Sequence, residues 1–269
     1  MPLSKLTPLQ ITRFDSCEST NERLLRAAEE GAPAGYVYVT REQTAGRGRR
    51  GRRWVAEPGR TLAFSLLWVF PAEPAILNGL SLAVGVAILR ALNRSSLGRP
   101  RTDVRLGLKW PNDILLRNSE GCDAKVGGIL IESVLRRTQN GVREMAVVIG
   151  VGLNCLASGA LASIVADQPV AALADAYAEP GLTPDAVLPI VLDSLQQTLG
   201  EFAATGFSTL RDEWQAMNLW QNEPVQISEA GRVLLQGQLC GVDSDGALCV
   251  DTPTGIQRVI TGDVSLRKV

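Results

Sequence analysis

The chemistry-bearing residues of this chain gather in a few short stretches: ESTN (18–21), QTAGRGRRGRRW (43–54), KWPNDI (109–114), and the pair KVGGILIE (125–132) with GVGLN (150–154). The densest is GRGRRGRRW (46–54), which interleaves Gly46, Gly48 and Gly51 with Arg47, Arg49, Arg50, Arg52 and Arg53. Arginine stays charged at any ordinary pH and grips carboxylate or phosphate with a planar fork. Glycine lets the main chain approach an anion closely and offers its amides. The stretch therefore suits an anionic ligand. A solvated basic turn is the plain alternative. A nucleic-acid contact is a third, but no second basic patch accompanies it and Trp54 is its one interleaved aromatic. The spacing is not that of a Walker loop, GxxxxGK[ST].

In KWPNDI, Lys109 is a compact charge suited to a phosphate oxygen. Asp113 can hold magnesium through one oxygen, the metal keeping most of its waters. The plain alternative is an Asn112–Asp113 turn bonding its own backbone. KVGGILIE places Gly127 and Gly128 just beyond Lys125, and GVGLN repeats the device with Gly150 and Gly152 before Asn154. Glycine inside a strand marks close approach of a ligand or another backbone, so tight sheet packing and a flat pocket floor both fit. An asparagine amide donates and accepts together, so Asn154 can read a base edge. ESTN has helix-start spacing, Ser19 to Glu22, and the free amides of a helix start can also hold a polar head.

These residues need elements to position them. CESTNERLLRAAEEG is predicted as a helix stopped at Gly31. GYVYVT (35–40) and TLAFSLLWVF (61–70) are predicted strands. Pro74 opens an apolar helix through about Leu92, with Leu77, Leu80, Val84 and Ile88 on one stripe. VRLGLKW, KVGGILIESV and EMAVVIGVGLN are three further strands, with RNSEGCD as a hairpin turn. Residues 156–183 are Ala-rich loop with a short helix, and 184–204 and 207–220 two helices. From Glu223 the texture changes to short, closely spaced strands with Gly and Asp turns, as in a small all-β barrel.

The bulk numbers narrow the field. The 269 residues hold 45% apolar and 20% charged side chains, with formal net charge −1, an ordinary globular composition. That balance disfavours a protein whose whole surface is built for nucleic acid. Five cysteines, an odd number without a CxxC pair, fit free thiols in a cytoplasmic protein better than a disulfide framework or zinc site. The chain has no histidine, which removes histidine bases and histidine metal ligands. No signal peptide or membrane span is expected.

In combination and order, GRGRRGRRW, KWPND, KVGGIL and GVGLN resemble the biotin protein ligases, from about residue 12 to the C-terminus. The resemblance implies an α/β (α+β) fold: a mixed-sheet catalytic domain (1–221) binding biotin and ATP, then a small SH3-like barrel (222–269). It implies the ligase-only type, without a DNA-binding domain. It also implies two half-reactions: biotin and Mg-ATP give biotinyl-5′-AMP, then a lysine of a biotin carboxyl carrier domain displaces AMP. Carried across, Lys125 and Arg49 act in catalysis. Ser19, Thr20, Gln43, Gly46, Arg47, Arg49, Lys125, Gly128, Gly150 and Gly152 hold biotin. Arg49, Trp54, Lys109, Asn112, Asn154 and Arg267 serve the nucleotide, and Asp113 serves Mg2+. Partners implied are biotin, ATP and the carrier domain, with neither DNA nor membrane; a homodimer is compatible with this. Residues 155–180 lack the tryptophan that the family often places on the adenine side. A lipoyl or octanoyl transferase of the same superfamily, a biotin sensor and a nucleic-acid binder are the competing readings.

Overall fold

A computed structural model describes residues 7–94, 97–138, 140–157, 169–178, 181–260 and 264–269. Seven strands form one sheet: β1 (Gln10–Cys17), β2 (Tyr36–Gln43), β3 (Thr61–Pro71), β4 (Val104–Lys109), β5 (Asp113–Asn118), β6 (Asp123–Arg137) and β7 (Arg143–Asn154). Their order is β1-β2-β3-β7-β6-β5-β4. β1 runs parallel to β2 and every other neighbour is antiparallel, so the sheet is mixed as expected.

Two layers cover the sheet. On one face lie α2 (Leu80–Arg94), α3 (Pro184–Thr205) and α4 (Arg211–Met217). Their apolar stripes join Phe64, Ile149, Val151 and Leu153 in one buried cluster, and Phe70 meets Phe202 edge to face at 6.0 Å. On the other face, α1 (Thr20–Glu29) buries Leu24 and Ala28 against Leu67, Ala146 and Val148. Ser19 is its N-cap and accepts from the Glu22 amide at 3.4 Å. The Glu22 carboxylate pairs with Arg26 on the next turn. Gly31, with φ 95°, takes the left-handed position that ends the helix.

Two strands go unread in the sequence and one helix starts late. Strand β5 lies where only a turn and a hairpin arm are legible, because DILLRN is paired on both sides and its character comes from those partners. β1 is a mostly exposed edge strand with charged residues and no clean alternation. The helix expected from Pro74 begins at Leu80 instead. Pro74–Leu77 is a 3-10 turn, and Gly79 (φ 73°) breaks the chain beneath Phe207, whose ring carbon lies 2.5 Å from where a Cβ would stand. Residues 75–94 have the length and apolarity of a membrane span, yet most of that stretch is buried inside the protein. The short helix expected within 156–183 falls largely on residues outside those described; a 3-10 turn, Leu173–Asp175, is what the described part contains.

Strands β8 (Pro224–Glu229), β9 (Arg232–Val242), β10 (Leu248–Thr252), β11 (Gly255–Val259) and β12 (Val264–Lys268) form a second, antiparallel sheet in the order β11-β10-β9-β8-β12. Its interior residues Ile227, Leu239, Leu248 and Leu266 belong to the same buried cluster as the large sheet. Trp110 seals the seam, donating from Nε1 to Gly246 O at 3.1 Å.

Candidate functional site

Strand register decides where the cleft lies. Ala63, Gly152 and Gly128 are cross-strand neighbours, as are Ser65, Gly150 and Leu130. Two-residue alternation puts both rows on the α1 face. α1 covers only part of that face. Beyond its N-terminus a cleft opens, walled by the 46–54 loop, the β4–β5 turn and β12. It gathers Ser19, Thr20, Gln43, Arg47, Arg49, Trp54, Lys109, Asn112, Asp113, Lys125, Gly128, Gly150, Gly152, Asn154 and Arg267. Residues as remote in sequence as Ser19 and Arg267 thus meet in one hollow.

Gly46 is the exception. It is buried and lines a second hollow formed by the loop, and a Cβ there would lie 2.3 Å from the Trp54 carbonyl oxygen. Its role is to let the two arms of the loop touch. The glycines of the floor lie beneath protein side chains. At Gly150 the space is filled by the Asn21 carboxamide, 2.1 Å from a notional Cβ, and at Gly152 by the Trp54 indole at 2.2 Å. Trp54 therefore lies inside the cleft on the sheet and does not merely tie off the loop. At Gly128 a Cβ would meet the Lys125 ammonium at 3.4 Å. Gly127 faces Leu153, 2.5 Å from a notional Cβ, which is tight packing.

One end of the cleft is uncharged. The Thr20 amide donates to Gln43 Oε1 at 2.9 Å, and the Thr20 and Ser65 hydroxyls lie 2.8 Å apart. Ser65 Oγ donates to Asn21 Oδ1 at 2.5 Å. Asn21 Nδ2 in turn donates to Glu132 Oε2 at 3.0 Å and to Leu130 O at 3.3 Å. Thr20, Asn21, Gln43 and Ser65 are all buried, so these groups depend on one another for partners.

The other end is cationic. Asp113 pairs with Lys125 and lies 3.8 Å from the Lys109 ammonium. The Lys109 ammonium stands 4.4 Å from the centre of the Trp220 ring. Burial pushes the Lys109 pKa down to about 8 against the pull of Asp113, with Arg267, Lys125 and Arg52 adding to the fall. Arg267 reaches this end from the barrel strand β12. Asn154 donates to Ala171 O at 3.2 Å, while its Oδ1 is buried with no partner among the described residues. The same holds for Trp54 Nε1. Both are polar atoms of the cleft wall with unused capacity. Among the described residues no three His, Cys, Asp or Glu cluster as a metal cage.

The arginine loop joins the two ends. It is a small hairpin: Arg47 bridges Arg53, Gly48 N–H donates to Arg52 O at 2.7 Å, and Trp54 N–H donates to Gly46 O at 2.9 Å. Arg50 (φ 60°) and Gly51 (φ 69°) make its left-handed turn. Arg47 pairs with Glu132 at 2.9 Å on the polar side. Arg49 donates to Asn112 Oδ1 at 3.4 Å on the charged side.

Sequence reasoning did not assign Asn21, Ser65 or Glu132. Asn21 and Glu132 stand inside stretches singled out for their neighbours. The signal for Ser65 was one polar residue within the apolar run TLAFSLLWVF, and such a residue at 0% exposure must find partners.

A mixed sheet with a cleft that grades from neutral to cationic, closed by an arginine hairpin and abutted by a small barrel, has the layout of a two-domain ligase. Residues 13–154, more than half the chain, match the biotin/lipoate A/B protein ligase family, and the chain belongs to it. Residues 222–267 match the biotin protein ligase C terminal domain. A biotin–[acetyl-CoA-carboxylase] ligase of Paracoccus denitrificans is 31% identical over 264 residues, covering 92% of this chain and 96% of the relative. The bifunctional ligase/repressor BirA of Escherichia coli K12 is 29% identical over 250 residues, covering 93% and 72%. The fold is like that of a biotin protein ligase from Aquifex aeolicus solved with biotin and ATP: TM-score 0.71, 24% identity, 96% of this chain and 99% of that one.

Proposed function

We propose that this protein joins biotin to a lysine of a biotin carboxyl carrier domain, using ATP and passing through biotinyl-5′-AMP. The observation that carries the reading is the double family match, catalytic region and C-terminal barrel together. The barrel match favours biotin over lipoate. The cleft supplies the chemistry. Its neutral end offers hydrogen-bonding groups for the uncharged bicyclic head of biotin, and its cationic end receives the carboxylate and the phosphates.

In the first step a carboxylate oxygen of biotin attacks the α-phosphorus, and the bond to pyrophosphate breaks. Two anions must meet. Lys125 and Arg49 offset their repulsion and stabilise charge on the five-coordinate phosphorus. Lys125 leaves its pairing with Asp113 for the ligand's anion, so one carboxylate replaces another. In the second step the acceptor amine attacks the carbonyl, the bond to the AMP oxygen breaks, and the nitrogen loses a proton. The lone carboxylate Asp113 fits the mode in which magnesium binds through one carboxylate and the nucleotide phosphates. When bound there, the ion neutralises phosphate charge. Asn154 Oδ1 is an acceptor fitted to an adenine amino group. Trp54 covers the floor and shields the anhydride from water. All five cysteines are free thiols, which supports a cytoplasmic setting.

The test is ATP–pyrophosphate exchange with biotin or lipoate, followed by transfer to a purified carrier domain. Strong dependence on biotin is expected. Exchange driven by lipoate alone, or by neither, overturns the proposal.

A further inference from the structure

We infer that Glu132 is a positioning residue that sets which groups donate and which accept at the neutral end of the cleft, while also anchoring the arginine hairpin. This rests on the biotin reading above. A carboxylate and a backbone carbonyl have no proton to give. Asn21 Nδ2 lies against both, Glu132 Oε2 at 3.0 Å and Leu130 O at 3.3 Å. That arrangement allows one orientation of the Asn21 amide, with Oδ1 toward Ser65. Ser65 has a single hydroxyl proton, and Asn21 Oδ1 at 2.5 Å takes it. With the Ser65 proton committed, the Thr20 hydroxyl gives its own to Ser65 Oγ at 2.8 Å or to Gln43 Oε1 at 3.3 Å. Thr20 Oγ1 is left as an acceptor in the cleft wall. The Thr20 amide holds Gln43 Oε1 at 2.9 Å, which leaves the Gln43 amide nitrogen as the donor. The neutral end therefore shows one acceptor and one donor. That pattern matches the N–H and the carbonyl of a cyclic urea.

The charged and nearer of the two acceptors against Asn21 Nδ2 is Glu132, a β6 residue whose side chain is 18% exposed. Its second oxygen takes Arg47 at 2.9 Å. One carboxylate thus ties the polarity of the head subsite to the seat of the loop. Glu132→Gln keeps the size but puts a donor against Asn21 Nδ2, leaving Leu130 O as the remaining acceptor that opposes a turned amide and a reversed chain.

The experiment uses the full chain in ATP–pyrophosphate exchange with biotin and with 2-iminobiotin, whose guanidine replaces the urea carbonyl with further N–H donors. Glu132→Gln is expected to raise the biotin KM about tenfold, the scale of one misplaced hydrogen bond. The ATP KM should stay within about twofold, on the additivity expected of separate sites. The preference for biotin over 2-iminobiotin should fall by about tenfold, since the reversed chain no longer offers its acceptor and donor in the same sense. A loosened loop would shift both ligands together and leave that ratio alone. An unchanged ratio in a variant that melts like the wild type overturns the inference. A wild-type protein without biotin-dependent exchange overturns the functional reading itself, so the two failures differ.

Discussion

The two ends of the cleft solve opposite problems with opposite materials. At the neutral end Thr20, Asn21, Gln43 and Ser65 are buried and already bonded to protein, so their donors and acceptors are fixed before a ligand arrives. Little reorganises there, and selectivity follows from geometry. At the cationic end the groups are charged and partnered provisionally: Lys125 on Asp113, Lys109 over Trp220, Arg49 on Asn112. Those partners can be exchanged for phosphate or carboxylate. The lesson is that one end recognises and the other reacts, and the hairpin, anchored to both, keeps them in step.

The largest break in this comparison comes from Lys125→Met. It removes the charge nearest the reacting anions and leaves Asp113 with Lys109, 3.8 Å away. The rate of biotin-dependent exchange at saturating ligands should drop by roughly a hundredfold or more, as for other losses of a preorganised charge donor. The biotin KM should move far less, measured in the same assay.

Arg49→Gly cuts the hairpin's hold on the cationic side. Biotinyl-AMP should escape, and labelling of unrelated lysines on a bystander protein should rise about tenfold, the scale of one charged hydrogen bond. Selectivity equal to wild type would show that Asn112 and Arg49 do not retain the intermediate.

Thr20→Val attacks the other end alone. The biotin KM should rise about tenfold with an unchanged ATP KM, the mirror image of the Lys125 result. Isothermal titration with biotin checks it without catalysis.

The smallest effect concerns pH. The Lys109 ammonium is held near pKa 8, below the ordinary lysine value, by burial. The unfolded chain keeps its proton to higher pH, so unfolding takes up a proton between about pH 8 and 10.5. Stability from this group therefore rises with pH across that window, and the cost is fully present below it. Lys109→Met should flatten that rise and lift the melting temperature at pH 7 by a few degrees, about what 1–2 kcal/mol brings in a domain this size. It should also weaken ATP. In the wild type, ATP affinity should fall as pH passes 8. Melting curves and ATP titrations from pH 7 to 10 test both signs.

Much of the cleft was legible because its residues announce chemistry by type. Arginines among glycines, a lysine before paired glycines, and an asparagine ending a glycine strand need no neighbours to be noticed. What was not legible has a common cause. Gly46, Gly150 and Gly152 look alike as missing side chains, yet what fills the gap is decided across the sheet: the Trp54 carbonyl at the first, Asn21 at the second, the Trp54 indole at the third. β5 was hidden because its strand character is conferred by β4 and β6. The start of α2 was misplaced because a residue far along the chain, Phe207, sits against Gly79.

By itself, then, the chain determined its local instructions: the capped start of α1, the apolar runs of β3 and β7, the charge and looseness of 46–54, and the change to short strands after 223. These follow from propensity, periodicity and side-chain type, which act over a few residues. Tertiary structure alone decided the pairings, that Ser65 meets Asn21, that Glu132 holds Arg47, that Arg267 of the barrel reaches Lys109's end of the cleft. Hydrogen bonds and ion pairs depend on ångström-scale distance between residues remote in sequence, and only the folded sheet sets those distances.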